Sequence, residues 1–167
     1  MTDDPTIEEI HALEEVLTTE AESHGYHLSP DSDAVKALVK GLIVNTRRYG
    51  YPACPCRLSF GKKEDDLDII CPCDYRDADL DEYGACYCSL YVSLAVKTGR
   101  EEVQPIPERR PSRADRDKKG VSVSSQPSGF SQPIWRCKVC GYLCARINPP
   151  EKCPICNVSR ERFERFA

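Results

Sequence analysis

The chain has 167 residues, including 11 cysteines, and a formal net charge of -4. This length allows one ordinary domain or two small ones. The first residues lack the basic and apolar regions of a signal peptide, and no stretch reaches the ~18 apolar residues of a membrane span. These features argue against a secreted disulfide-bonded protein. They predict a reduced, cytoplasmic protein whose cysteines bind metal or carry redox chemistry.

The charge is distributed unevenly along the chain. Residues 1–96 carry 19 acidic and 8 basic side chains, residues 97–134 carry 5 and 8, and residues 135–167 carry 3 and 7. Such asymmetry is typical of modules with separate electrostatic roles, although opposite charge also helps two modules pack together. With the Pro-, Ser- and Arg-rich composition of the middle region, it predicts a domain over 1–96 and a flexible basic linker over 97–133. A second, small domain is expected over residues 134–167.

Two helices are predicted at the start of the chain. Asp4-Pro5-Thr6 combines a cap residue with proline, and Thr6 and Glu9 stand at capping-box spacing. Ser29-Pro30-Asp31 marks the start of the second helix in the same way. A further helix is expected over residues 77–96, entered through the sequence DADLDEYG. The core face of the second helix is predicted from its apolar spacing: Val35, Leu38, Val39, Leu42 and Ile43.

Three Cys-x-Cys pairs lie between residues 54 and 88. A disulfide within one pair would be strained, and the spacing differs from that of zinc knuckles and bacterial ferredoxins. If four of the thiolates bind a 4Fe–4S cluster, the other two are suited to form a redox-active dithiol beside it. Geometry alone leaves fifteen ways to choose the four ligands, and a purely structural metal site remains an alternative. The pairs are Cys54 and Cys56, Cys71 and Cys73, and Cys86 and Cys88.

The last 33 residues contain two Cys-x-x-Cys knuckles, Cys137 with Cys140 and Cys153 with Cys156. Two knuckles can place four thiolates tetrahedrally around one metal ion. The module has little apolar sequence, so the metal is expected to contribute directly to folding. Sulfur ligands in this arrangement suit both iron and zinc. Cys144 stands one residue too far from Cys140 for a knuckle and is predicted to be a small buried residue.

Residues around the knuckles resemble the rubredoxin-like domains that are appended to rubrerythrins. The resemblance rests on Trp135 before the first knuckle, on Gly141-Tyr142 after it, and on the sequence Cys-Pro-Ile-Cys. It implies a mononuclear iron that carries one electron, with zinc as the alternative. Asn157 departs from the pattern, because rubredoxins commonly have glycine after the last ligand.

The sequences CPCR, CPC and CYC, preceded by two helices and by YGYP, resemble the catalytic chain of ferredoxin:thioredoxin reductase over about residues 5–96. With the rubredoxin-like tail, the chain is similar to single-chain ferredoxin:disulfide reductases. The fold class implied is a mainly α catalytic domain plus a small β-rich rubredoxin-like metal domain. The activity implied is reduction of a thioredoxin or glutaredoxin-like protein with ferredoxin as electron donor. No nucleic-acid or membrane partner is predicted.

The resemblance also implies roles for individual cysteines. Cys56 and Cys88 are expected to form the redox-active disulfide, with Cys56 as the solvent-side nucleophile and Cys88 facing the cluster. Arg57 is a candidate to lower the pKa of the Cys56 thiol, with a surface salt bridge as the alternative. The implied ligands of the 4Fe–4S cluster are Cys54, Cys71, Cys73 and Cys86.

Tyr87 stands between the last two cysteines, where the resembled family usually has a histidine that is thought to relay protons. A phenol is a poorer proton relay than imidazole at neutral pH, so proton transfer through Tyr87 is the least direct inference from the resemblance.

Two acidic segments, EDDLD and DADLDE, are predicted to be solvated surface. Because ferredoxins are generally acidic, we hypothesise that the basic linker and tail recruit the donor instead. The alternative function, from a different class, is a metal-stabilised binding or electron-carrier protein without disulfide turnover.

Overall fold

The computed structural model of the chain describes residues 4–113, 115 and 132–166. The chain divides into two compact units, Met1–Pro107 and Glu108–Ala167, and each is described by itself. The predicted linker over 97–133 includes residues that lie outside the described ranges. Within those ranges, no helix combines the length and apolar character needed to cross a membrane.

The first unit is mainly helical, as the sequence predicts. Among the described residues, this unit has two strands, β1 (His27–Leu28) and β2 (Tyr91–Val92). They pair antiparallel, with His27 opposite Val92 and Leu28 opposite Tyr91. A 3-10 helix spans Leu67–Ile69. The elements in chain order are α1 (Ile7–Ser23), β1 (His27–Leu28), α2 (Ser32–Tyr49), α3 (Arg76–Tyr83), β2 (Tyr91–Val92) and α4 (Leu94–Lys97).

Helix α1 begins at the predicted capping box, whereas α2 begins two residues beyond the Ser29-Pro30 signal, after Asp31. The Thr6 hydroxyl accepts from the Glu9 N–H, and the Glu9 carboxylate accepts from the Thr6 N–H, so the predicted capping box forms. Asp31 caps α2 by accepting from the Ala34 N–H at 3.0 Å. The predicted apolar face of α2 then packs into a core that also includes residues of α1, β1 and β2. Its fully buried members from α2 are Val35, Val39 and Leu42.

The prediction of a single helix over residues 77–96 is wrong, because α3, β2 and α4 occupy this segment. Helix α3 ends at Tyr83 because Gly84 adopts a left-handed conformation, with φ 69°, and its N–H donates to the Leu80 carbonyl. The chain then passes through the third cysteine pair, forms β2 and enters α4. The sequence DADLDEYG is therefore most of helix α3 and its C-terminal cap rather than the entrance to a longer helix.

Gly41 lets α2 pass close to the first Cys-Pro-Cys turn. A Cβ atom at this position would lie 2.9 Å from Cβ and 3.0 Å from Cγ of Pro55. Carbon atoms normally pack at roughly 3.5–4.0 Å, so the contact leaves no room for a methyl group. Because Pro55 separates Cys54 from Cys56, Gly41 packs directly against the turn that carries these two thiols.

Gly41→Ala is expected to destabilise the first unit by about 1–2 kcal/mol. Alanine gains roughly 0.5–1 kcal/mol in helix propensity, but overpacking against a rigid proline ring costs roughly 1–3 kcal/mol. Chemical denaturation followed by far-UV circular dichroism measures the difference. The matched variants are Pro55→Gly and the double variant Gly41→Ala/Pro55→Gly. Because Pro55→Gly removes the atoms that clash, the double variant should lose less stability than the sum of the two single variants. A more stable Gly41→Ala protein would contradict the expected clash.

The second unit contains a three-stranded antiparallel sheet. Its central strand, β3 (Ile134–Cys137), lies between β4 (Leu143–Ala145) and β5 (Phe163–Arg165). Trp135 in β3 lies opposite Cys144 in β4 and Arg165 in β5. The core contains Val139 and Phe163 together with cysteines, so metal ligands form much of the interior. The strands are β3 (Ile134–Cys137), β4 (Leu143–Ala145) and β5 (Phe163–Arg165), and a 3-10 helix spans Arg160–Arg162.

Candidate redox site and metal centre

Backbone hydrogen bonds join the first two Cys-x-Cys turns. The Cys54 N–H donates to the Ile69 carbonyl, and the Cys71 N–H donates to the Pro52 carbonyl, each at 2.8 Å. These two bonds join the first pair to the second. The chain therefore places turns that are distant in sequence side by side, which the cysteine spacing alone does not specify.

The third pair lies on a tight turn that is tied to the sheet. The Ser89 N–H donates to the Cys86 carbonyl at 2.6 Å, and Ser89 has a positive φ of 56°. The Cys86 N–H donates to the Tyr91 carbonyl at 2.9 Å, and the Ser29 N–H donates to the Leu90 carbonyl at 3.0 Å. Backbone bonds thus hold the chain at Cys86 and again just beyond Ser89, with Cys88 between them.

Cys88 lies among the other thiols. Its sulfur is 3.6 Å from the Cys86 sulfur and 4.0 Å from the Cys54 sulfur. Cys56 is exposed, and Cys88 is half-buried. Of the predicted cluster ligands, Cys71 is half-buried and the others are buried: Cys54, Cys73 and Cys86.

The two thiols of the expected disulfide differ in acidity. The hydrogen bond from Cys88 lowers the pKa of the Cys56 thiol, and the positive charge of Arg57 contributes in the same direction. Hydrogen bonds to Cys54, Cys56 and Cys86, together with burial, raise the pKa of Cys88 well above its usual value. Cys56 is therefore the thiol of the pair that ionises more readily, and it is also the one that solvent reaches.

The chemistry of the predicted ligand set suits an iron–sulfur cluster, because such clusters are held by four cysteine thiolates. Three polar groups point at its sulfurs: the Tyr91 N–H at 3.3 Å from Cys86, the Tyr91 hydroxyl at 3.6 Å from Cys71, and Nη1 of Arg57 at 2.9 Å from Cys73. Hydrogen bonds to the sulfurs are a common feature of cluster sites. Burial raises the pKa of Cys73 to about 12. Burial disfavours the thiolate form of Cys73, and coordination to a bound cluster would stabilise that form.

Arg57 is buried, so the alternative of a surface salt bridge is wrong. Only 5% of the residue is exposed. The guanidinium carbon lies 4.7 Å from the ring centroid of Tyr75 and 4.6 Å from that of Tyr87. Its Nη2 lies 3.7 Å from a carboxylate oxygen of the buried Asp79. The sequence marks Arg57 only as a neighbour of Cys56, and its aromatic contacts depend on the tertiary fold.

The two acidic segments are not entirely solvated, because Asp66 and Asp79 are fully buried. Asp66 accepts hydrogen bonds from the Tyr51 hydroxyl at 2.8 Å, the Phe60 N–H at 2.8 Å and the Gly61 N–H at 3.1 Å. These bonds fix the loop that follows Cys56. Part of the negative charge near the thiols therefore has a structural role that the charge pattern did not reveal.

In the second unit, four thiols surround one point. The Cys137 and Cys156 sulfurs are 3.6 Å apart, those of Cys140 and Cys153 are 3.5 Å apart, and all four lie within 4.8 Å of one another. In the part of the chain that the structure describes, this is the one group of three or more potential ligands close enough to hold a single ion. The predicted four-cysteine metal site is thus assembled.

The two knuckles have matching backbone geometry. The Gly141 N–H donates to the Cys137 carbonyl and the Asn157 N–H to the Cys153 carbonyl, each at 2.9 Å. Gly141 has φ 74° and Asn157 has φ 57°. Asparagine tolerates this left-handed conformation better than most residues, so it can replace the usual glycine here. Cys144 lies outside this ligand group and is half-buried rather than buried as predicted.

The converging thiols of the two knuckles define a four-cysteine metal site. A family model described as ferredoxin thioredoxin reductase catalytic beta chain matches residues 3–110, and one described as rubrerythrin, rubredoxin-like domain matches residues 135–164. The chain therefore belongs to the ferredoxin thioredoxin reductase catalytic beta chain family and carries a rubredoxin-like domain, as its motifs predict. Membership indicates a reductase-type oxidoreductase. No individual curated protein matches the chain.

Proposed function

We propose that the protein is a ferredoxin-dependent disulfide reductase of the cytoplasm. Its disulfide joins Cys56 to Cys88, and its substrates are thioredoxin or glutaredoxin-like proteins. The observation that carries the proposal is the position of the Cys88 sulfur, which lies 4.0 Å from the Cys54 sulfur and 3.6 Å from the Cys86 sulfur, while Cys56 is the exposed thiol of the six. In this proposal, the 4Fe–4S cluster is held by Cys54, Cys71, Cys73 and Cys86.

The positions of the two thiols suit thiol–disulfide exchange. When bound, the cluster would pass single electrons from ferredoxin to the disulfide, which needs two electrons and two protons for full reduction. The reduced Cys56 thiolate attacks a substrate disulfide and forms a mixed disulfide, releasing one substrate sulfur as a thiolate. Cys88 then attacks the Cys56 sulfur, which releases the second substrate thiolate and restores the Cys56–Cys88 disulfide. Partial burial shields Cys88 from competing reactions, and exposure makes Cys56 accessible.

We also propose that the C-terminal cysteines hold one iron ion, with zinc as the alternative metal. The match to a rubredoxin-like domain and the four converging thiols support this. The surrounding region is basic, with 7 basic and 3 acidic side chains over residues 135–167. In this proposal, that charge attracts an acidic ferredoxin.

Reconstitution tests the proposed activity. We expect the purified protein to contain a 4Fe–4S cluster and to reduce thioredoxin only when reduced ferredoxin is supplied. Iron and sulfide analysis, absorption spectra and thiol titration of the substrate measure this. A protein that contains only zinc would contradict the proposal and favour a binding protein without turnover. Unchanged turnover at low salt after removal of residues 108–167 would contradict the docking role of the basic region.

A further inference from the structure

We propose that Tyr87 is a positioning residue rather than a proton relay. Together with Tyr75, Tyr87 holds the Arg57 guanidinium in the position from which the guanidinium donates to the Cys73 sulfur. This hydrogen bond raises the reduction potential of the cluster. The inference rests on the proposed function, because it takes Cys73 to be a ligand of a 4Fe–4S cluster.

The contact of Tyr87 with Arg57 is made through the face of the phenol ring. The guanidinium carbon lies 4.6 Å from that ring centroid, well within cation–π range. Tyr75 offers its ring at almost the same distance, 4.7 Å, and its hydroxyl donates to Asp68 at 2.8 Å. One of the two rings is thus anchored by its own hydroxyl, whereas Tyr87 contributes a ring surface.

The remaining contacts orient the guanidinium. Nη1 lies 2.9 Å from the Cys73 sulfur, and Nη2 lies 3.7 Å from the Asp79 carboxylate. Both charged side chains are fully buried. A guanidinium is planar and keeps its donors in fixed directions, so contact with the flat rings also fixes the direction of the bond to sulfur. A flexible lysine would have the charge without this directionality.

The direction of the effect follows from charge. A reduced cluster carries one more negative charge than an oxidised one, and a buried cation that donates to a ligand sulfur stabilises the reduced form more. Hydrogen bonds to the sulfurs and local charge are among the factors that set cluster potentials. Displacing the guanidinium from Cys73 should therefore lower the reduction potential.

Two variants of Tyr87 in the full chain separate a ring-surface role from a hydroxyl role. Tyr87→Phe keeps the ring and removes the hydroxyl, so the cluster potential should match that of the unaltered protein. Tyr87→Leu keeps apolar bulk and removes the aromatic face, so the potential should fall. Redox titrations followed by electron paramagnetic resonance measure the potential, and iron and sulfide analysis checks that the cluster is retained. When iron occupies the rubredoxin-like site, that site is an internal reference, and its potential should not change.

Arg57→Lys is a third variant, and it should lower the potential as Tyr87→Leu does. The inference is overturned if Tyr87→Phe and Tyr87→Leu lower the potential equally, since this would assign the role to the hydroxyl. It is also overturned if Tyr87→Leu retains the cluster with an unchanged potential. An unaltered protein that binds no 4Fe–4S cluster would instead refute the proposed function, and the inference with it.

Discussion

Cys56→Ser is expected to abolish disulfide reduction while leaving the cluster in place. Cys56 is the exposed thiol of the site and the more acidic member of its pair, so it is the group that attacks the substrate. A serine hydroxyl stays protonated at neutral pH and cannot form the mixed disulfide. Turnover with reduced ferredoxin and thioredoxin should fall by a factor on the order of 10⁴ or more, the scale on which loss of a nucleophile acts. Absorption and iron analysis should be unchanged.

Two controls make this result specific. Cys144→Ser removes a half-buried cysteine of the other unit and should leave both turnover and iron content unchanged. Cys73→Ser alters a buried predicted ligand and should reduce cluster content together with turnover. Loss of the cluster from Cys56→Ser would mean that Cys56 is itself a ligand and that the assignment of the six thiols is wrong.

Cys153→Ser is expected to unfold the C-terminal unit. The core of this unit consists of three buried cysteines with Val139 and Phe163, so its interior depends on the metal. Structural zinc contributes roughly 10–16 kcal/mol in small domains, far more than an apolar core of this size can replace. The chain has a single tryptophan, Trp135, and it packs against this core. Its fluorescence should therefore shift to that of a solvated indole.

Cys144→Ser again serves as the matched control, because it alters a cysteine outside the ligand group. It should retain both the metal and the native tryptophan emission. The helical signal in far-UV circular dichroism should persist in Cys153→Ser, because the helices α1–α3 belong to the first unit. Native emission and protease resistance of Cys153→Ser without bound metal would contradict a metal-dependent fold.

Local signals predicted the parts of the fold that depend on neighbouring residues. Thr6 with Glu9 caps α1 as expected, because capping involves atoms only a few residues apart. The end of α3 is also encoded locally, by Gly84, although the prediction continued a single helix through it to residue 96. The knuckle spacing predicted the four-cysteine site correctly, since two short turns nearly determine its geometry.

The surroundings of the six N-terminal thiols could not be derived in this way. Arg57 is distant in sequence from Tyr75 and Tyr87, and only the tertiary fold brings the three together. Asp66 and Asp79 lie in strongly charged segments, and charge normally indicates exposure. Their burial depends on specific partners, such as the amides of residues 60 and 61 for Asp66. Composition does not identify these partners.

The turn that contains Cys88 has a consequence for the speed of the proposed reaction. The backbone is tethered at Cys86 and at Leu90, and the Ser89 N–H closes the turn by donating to the Cys86 carbonyl. With the main chain held on both sides, Cys88 can exchange one sulfur neighbour for another by rotation about its own Cα–Cβ bond. In the proposed reaction we therefore expect little movement of the backbone around Cys88, which favours fast electron transfer. Such a stationary frame suits an enzyme that receives its two electrons separately.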